Sequence, residues 1–154
     1  TQGFSCCSNM RQVGIKTIGG FFLGCVAVDR LFKYIARTSP RVSERFWFGE
    51  APRINSEAAL SIPVGSLYLT VFLVIVWFVL VFLWIKNKQT RWAIVLFGIL
   101  IAAASNVWDR IFYGGVVDYL PFFGISIMNI SDIVISLGAI VLVVVFWRNN
   151  REVL

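Results

Sequence analysis

The sequence predicts an all-α membrane protein: four transmembrane helices carrying a small extracytoplasmic β-cradle and an interfacial loop. Three observations lead there. The 154 residues are 58% hydrophobic and only 14% charged, a balance that makes lipid rather than water the surrounding medium. The segment VGSLYLTVFLVIVWFVLVFLWI, 64–85, contains no charge, and at about 1.5 Å rise per residue its length matches a hydrocarbon core of roughly 30 Å. The acidic residues of the last third of the chain stand at the edges of apolar runs rather than inside them.

The elements follow in order. A first span over about 13–36 is less pure, with Lys16 at one end and Asp29, Arg30 and Lys33 at the other. The second is 64–85. The third, 92–112, begins as the apolar run 92–107 and continues as helix toward Phe112. The fourth covers 130–147. No linker, repeat or low-complexity tract divides the chain, so 1–154 is expected to be a single domain. Four spans place both termini on one side. KNKQTR between spans two and three, RNNR after span four, and Arg11 with Lys16 before span one put that side in the cytoplasm, and Trp84, Trp92 and Trp147 sit beside those basic clusters as an aromatic belt. The connection 37–63 is then outside, although it holds Arg37, Arg41, Arg45 and Arg53 beside Glu44, Glu50 and Glu57. Its RFWFGE stretch mixes aromatic and charged residues. It fits an interfacial lid over substrate and a plain surface loop equally well. The net charge of +6 thus speaks to topology and not to nucleic acid.

Several chemistries find no support. There is no His, no CxxC and no glycine-rich phosphate loop, so neither metal, thiol-redox nor nucleotide chemistry is indicated and no cofactor is expected. The vicinal Cys6 and Cys7 are too short a pattern to carry meaning. Met10 before RQVGIK resembles a natural start, so residues 1–9 are expected to be an upstream extension, which N-terminal sequencing of native protein tests. FLGC, ending at Cys25, resembles a lipoprotein cleavage box, but the apolar run continues through Val28, which favours a chance match inside span one.

The polar residues at the outer helix ends are the informative ones. An ionisable side chain at membrane depth costs on the order of 3 kcal/mol on insertion scales, which makes each a functional candidate. Asp29 and Lys33 stand four apart on one helix face, and a solvated rim ion pair of that kind is worth only about 0.5 kcal/mol. Asn106, Asp109 and Arg110 share a face at the end of span three. Asn129, Ser131 and Asp132 suit the cap of span four, where a carboxylate meets the positive end of the helix dipole. Asp118 lies in GGVVDYLPFFG, between a glycine pair and a proline, a stretch suited to a short hairpin or cradle at the membrane surface. The short connection between spans three and four lets Asp118 and Asp132 approach. Two carboxylates that close share one proton, one serving as general base toward water and the other as general acid toward a carbonyl. Their apparent pKa values belong to the pair.

The motif NVWDRIFYGGVVDY followed by NISD resembles the signature of bacterial lipoprotein signal peptidase, signal peptidase II: Asn, two residues, Asp-Arg, then Val-Val-Asp, then Asn, any residue, Ala-Asp at the head of the last span. DRLFK is similar to that family's Asp-Gln-x-Thr-Lys, and RINSEAALS to its Arg-Asn-x-Gly-Ala-Ala-Phe-Ser. The resemblance implies an outward-facing aspartyl endopeptidase with Asp118 and Asp132 as catalytic pair. Asn55, Asn106, Arg110 and Asn129 would line the site, Asp29 and Lys33 would match the polar pair of span one, and Asp109 would act structurally, orienting Arg110 and the helix end. It also implies the substrate, a diacylglyceryl-modified prolipoprotein whose signal peptide is cut before the lipidated cysteine. Membrane lipids would be the other partner, and the chain is expected to be a monomer. Ser131 stands where the family pattern has Ala, Glu57 where it has Gly, Arg30 where it has Gln, and Ser105 where it has Gly.

Two other readings remain open from sequence. In a non-catalytic membrane scaffold or degenerate homologue, the acids only cap helices and pair with Arg110. A small ion-coupled transporter would want acids near mid-membrane, and the middles of spans two, three and four have none.

Overall fold

The computed structural model describes residues 2–39, 52–56, 66–90, 92–122 and 126–151. The expected lid stretch RFWFGE, Glu57 and Arg91 of the KNKQTR segment lie outside the described residues, as do the side chains of Cys6 and Cys7.

The chain is mostly helical. Helix α1, Gln2–Thr38, runs 37 residues and starts well upstream of residue 13. Apolar content sets the sequence boundary, but nothing between Gln2 and Val13 breaks a helix: that stretch has one glycine and no proline. Helix α2 is Ser66–Asn87, α3 is Ala93–Tyr113 and α4 is Ile130–Arg151. A tight turn joins α2 to α3, with the Thr90 N–H and hydroxyl both donating to the Asn87 carbonyl, at 2.9 and 2.7 Å. Three of these helices, α2, α3 and α4, are long and apolar enough to cross a membrane by length and composition.

Helix α3 is the central one, packed against α1, α2 and α4, and α1 also touches α4. The Trp77 indole N–H of α2 reaches the Leu100 carbonyl of α3 at 3.0 Å, which satisfies the one polar atom of a large apolar side chain. Away from these seams the helices present Leu67, Phe72, Ile75, Phe78, Leu137 and Val143 outward. An apolar exterior of this kind suits lipid.

Among the described residues, four three-residue strands gather at one end of the helices. Strand β1, Arg53–Asn55, pairs antiparallel with β2, Val116–Asp118, in the register Arg53 to Asp118, Ile54 to Val117 and Asn55 to Val116. Strand β3, Leu120–Phe122, pairs antiparallel with β4, Ser126–Met128, Leu120 facing Met128. The two glycines that begin this region have distinct uses. Gly114 ends α3 at φ +73° and donates its N–H to the Arg110 carbonyl at 3.1 Å, the left-handed cap that glycine adopts without penalty. Gly115 lies so close to β1 that an added Cβ would sit 2.7 Å from the Asn55 carbonyl oxygen. A small apolar core of Ala36, Val117 and Tyr119, with Phe32, Tyr113, Leu120 and Ile130 against it, fastens the strands to α1 and the helix ends. The Phe32 and Tyr119 rings are tilted at 5.7 Å between centroids.

Candidate active site

Asp132 is fixed by the chain around it. Asn129 precedes the first residue of α4, and its side-chain oxygen accepts the Asp132 N–H at 2.9 Å, while the Asn129 N–H donates to Asp132 Oδ2 at 3.3 Å. This is a reciprocal capping box, in which two otherwise orphaned donors at a helix start are satisfied together. The other Asp132 oxygen, Oδ1, accepts from the Asn106 side chain of α3 at 2.7 Å.

Asp118, the last residue of β2, is almost fully buried. Its Oδ1 accepts the Asn129 side-chain amide at 2.8 Å and its Oδ2 the Asn55 amide at 3.1 Å. Strand geometry explains the second contact: Asn55 pairs with Val116, two residues from Asp118, so the two side chains stand diagonally on one face. Burial pushes the Asp118 carboxyl from its ordinary 3.8 up to about 6; the Asp132 charge pushes the same way, while the Asn55 and Asn129 hydrogen bonds and the Lys33 charge pull down.

Asn129 therefore joins the two acids, giving its side-chain N–H to one and its backbone N–H to the other. Arg110, largely buried in the last turn of α3, has both Asp118 and Asp132 within its electrostatic reach.

Beneath the pair lies a buried ionic network contributed mainly by α1 and α3. Lys33 donates to Asn106 Oδ1 at 2.7 Å and Ser105 Oγ at 3.3 Å, and pairs with Asp109 at 2.8 Å and Asp29 at 3.1 Å. The chain Lys33, Asn106, Asp132 is continuous. Asp29 and Lys33 are thus far from a solvated rim pair: they expose 0% and 1% of their surface. Asp109, also at 0% exposure, binds Arg30 through Oδ1 and Lys33 through Oδ2, and accepts the Val117 N–H at 3.4 Å. It links α1 to the strand that ends in Asp118. Buried charges persist only when paired and hydrogen-bonded, and here two carboxylates meet two cations.

The structure brings Asn55, Asn106, Asn129, Asp118 and Asp132 into one hydrogen-bonded set, with Lys33 and Asp29 one layer below. Three more side chains join this layer, two of them with no assigned part in the sequence reading and one, Ser131, expected in the cap of span four and found turned onto Asp29 instead. Tyr119 donates its hydroxyl to Asp29 Oδ1 at 2.8 Å. Burial first, then the Asp29 charge, holds that phenol above its ordinary value, so it stays a donor. Ser131 and Ser105 both donate to Asp29 Oδ2, at 2.8 and 2.9 Å. The signal in sequence was slight: each hydroxyl adjoins a residue of the motif. Among the described residues no group of three or more His, Cys, Asp and Glu is arranged to hold a metal.

Comparison with known proteins gives concordant findings. The family model described as signal peptidase (SPase) II matches residues 21–148. The lipoprotein signal peptidase of Halothermothrix orenii is 36% identical over 135 residues, covering 82% of this chain and 92% of the relative. That of Chlamydia pneumoniae is 34% identical over 120 residues, covering 70% and 69%. Among solved structures, a bacterial membrane enzyme superposes with a TM-score of 0.69 at 19% identity, covering 90% of each chain. A second superposes with a TM-score of 0.63, covering 86% of this chain and 92% of that one. At such identity these two speak to the fold alone.

Proposed function

The chain belongs to the signal peptidase II family, and from that premise we propose that Asp118 and Asp132 form the water-activating pair that removes signal peptides from diacylglyceryl-modified prolipoproteins. Membership makes the chain a membrane-embedded protease; the assignment of roles to residues rests on the geometry. The observation that supports it is Asn129, which donates to Asp118 at 2.8 Å and to Asp132 at 3.3 Å and so ties both carboxyls to one residue.

The pair shares one proton in the active form. The ionised acid takes a proton from water as the oxygen attacks the scissile carbonyl carbon, and the protonated acid gives its proton to the carbonyl oxygen. Collapse of the tetrahedral intermediate breaks the C–N bond, the amine leaves with the proton taken from water, and the proton given to the carbonyl oxygen returns to the pair. Arg110 supplies fixed positive charge beside both carboxylates, favouring the state in which one of them is ionised. Asn55 and Asn106 each hold the oxygen of one acid that Asn129 does not, which fixes both carboxyl planes and leaves further lone pairs for substrate and water.

The membrane setting completes the reading. Helix α1 is a fourth span alongside α2, α3 and α4, with Arg30 and Lys33 housed among α3 side chains rather than in lipid. Both termini are cytoplasmic, and the β-cradle and the acid pair lie on the outer face of a bacterial cytoplasmic membrane. The protein acts as a monomer, with substrate lipid tails remaining in the bilayer.

The test is cleavage of a diacylglyceryl-modified prolipoprotein by the purified protein in lipid. Asp118→Asn and Asp132→Asn are each expected to lower the rate by roughly 10²- to 10⁴-fold while still folding and inserting. Cleavage at the wild-type rate by either variant would overturn the proposal.

A further inference from the structure

Each of the two acids has a chain neighbour whose hydroxyl points away from the reaction and into the same buried carboxylate. Tyr119 follows Asp118, and its O–H donates to Asp29 Oδ1 at 2.8 Å. Ser131 precedes Asp132; its Oγ donates to Asp29 Oδ2 at 2.8 Å and its backbone N–H to Asp29 Oδ1 at 3.3 Å. Tyr119 Oη in turn accepts the N–H of Ile130, the first residue of α4, at 3.3 Å. All three residues are essentially inaccessible, Asp29 and Ser131 at 0% and Tyr119 at 1%.

We propose that Tyr119 and Ser131 are positioning residues for the reaction, which clamp the strand bearing Asp118 and the helix bearing Asp132 onto one carboxylate of α1 and so set the separation of the two acids. This inference rests on the acid-pair reading above. A separation error propagates directly into catalysis, because two carboxyls that share a proton and one water tolerate little displacement. The capping box alone does not fix it: Asn129 aligns α4 with Asp132 and holds β2 through the Asp118 side chain itself, and the Tyr119 N–H to the Met128 carbonyl, at 3.1 Å, ties cradle backbone to cradle backbone without reaching α1. The Tyr119 and Ser131 hydroxyls fasten both segments to α1 without passing through the reacting groups, by way of Asp29, whose Oδ2 Lys33 and Ser105 also hold at 3.1 and 2.9 Å. In this chain the two hydroxyls give Asp29 its shortest hydrogen bonds, at 2.8 Å each, and neither Phe nor Ala supplies a donor in their place.

The experiment uses the full chain in lipid with diacylglyceryl-modified prolipoprotein, comparing Tyr119→Phe, Ser131→Ala and their double variant with wild type. Each single variant is expected to lower kcat on the order of tenfold with KM unchanged. The alkaline limb of the pH profile should move to lower pH, because acids released from the clamp move apart and repel one another less. The double variant should lose less than the product of the two losses, since both hydroxyls serve one carboxylate. A merely structural role would reduce the folded fraction without moving the limb. Ser131→Ala keeps the backbone N–H to Asp29, so it decides the matter should Tyr119→Phe fail to fold. Wild-type kcat and an unmoved limb in Ser131→Ala overturn the clamp. Failure of the acid-pair reading is a separate result, seen as retained cleavage by Asp118→Asn or Asp132→Asn.

Discussion

Helices α1 and α2 place their side chains in opposite ways. Helix α2 has no charged residue before Lys86 and turns Leu67, Phe72, Ile75 and Phe78 outward, each more than half exposed. Helix α1 buries a charged pair instead: Asp29 and Lys33 are inaccessible, while its Phe21, Leu23 and Leu31 face out. In water this would be an inverted protein. In lipid it is the expected order, because apolar side chains lose nothing by facing hydrocarbon while a charge must find its partners inside the protein. What specifies the arrangement of these helices is therefore their small polar set, and the acid pair proposed for the chemistry is bonded to that same set.

The largest test of that contrast is Lys33→Met. It leaves Asp29 and Asp109 with one cation fewer between them, and breaking a buried pair on one side costs about 3–5 kcal/mol. A large fall in the apparent melting temperature of the purified protein is expected, with loss of cleavage. A melting temperature near wild type would mean that the charges are not the fastening between α1 and α3.

Asp118→Asn should behave in the opposite sense for stability. An acid whose folded-state pKa stands above its unfolded value is penalised once ionised, so this cost is absent below about pH 4, grows as pH rises through about 6, and is complete above it. From 3.8 to about 6 the penalty is on the order of 3 kcal/mol, offset in part because the new amide meets one of its two donors with an N–H. At pH 8 the inactive variant should thus melt no lower than wild type, and the gap should shift in favour of wild type as pH falls to 4. Melting curves at both pH values check the sign.

A smaller effect is expected at Gly115. The Cβ of Gly115→Ala would press on the Asn55 carbonyl at 2.7 Å, so β1 must shift and carry Asn55 away from Asp118. Activity should fall on the order of tenfold with little change in melting. Asn55→Ala removes the same hydrogen bond without moving the strand. Since that bond pulls the Asp118 value down, its loss should move the alkaline limb of kcat/KM toward higher pH. An unmoved limb in Asn55→Ala would detach Asp118 from the titration that governs rate.

Local pattern made the helices and the motif residues legible, and topology concealed the rest. The charge-free run of α2, the basic KNKQTR turn and the glycine pair before VVD each act over a few residues. So does the Asn129–Asp132 cap, with its spacing of three. Lys33 and Asp109 are different: they meet across 76 residues of chain, and no periodicity in α1 points to α3. Asp29 and Lys33 four apart suggest a rim pair on one helix, and only the packing of α1 against α3 and α4 turns that pair into the floor of a site. Tyr119 illustrates the same limit, since its ring reads as one more core aromatic and only the position of Asp29 gives its hydroxyl a partner.

The smallest expected effect lies at the middle of α2. Ile75 is 57% exposed, and if its surroundings are lipid tails, Ile75→Ala exchanges one apolar contact for another. A core isoleucine cut to alanine costs about 2–5 kcal/mol because a cavity remains, but fluid acyl chains fill the space that a protein interior cannot. The change should therefore stay within about 0.5 kcal/mol, read as an unchanged apparent melting temperature in lipid and an unchanged cleavage rate. A cost of core size would show that Ile75 packs against protein, and the contrast between an outward-facing α2 and an inward-bonded α1 would fail on the side of α2.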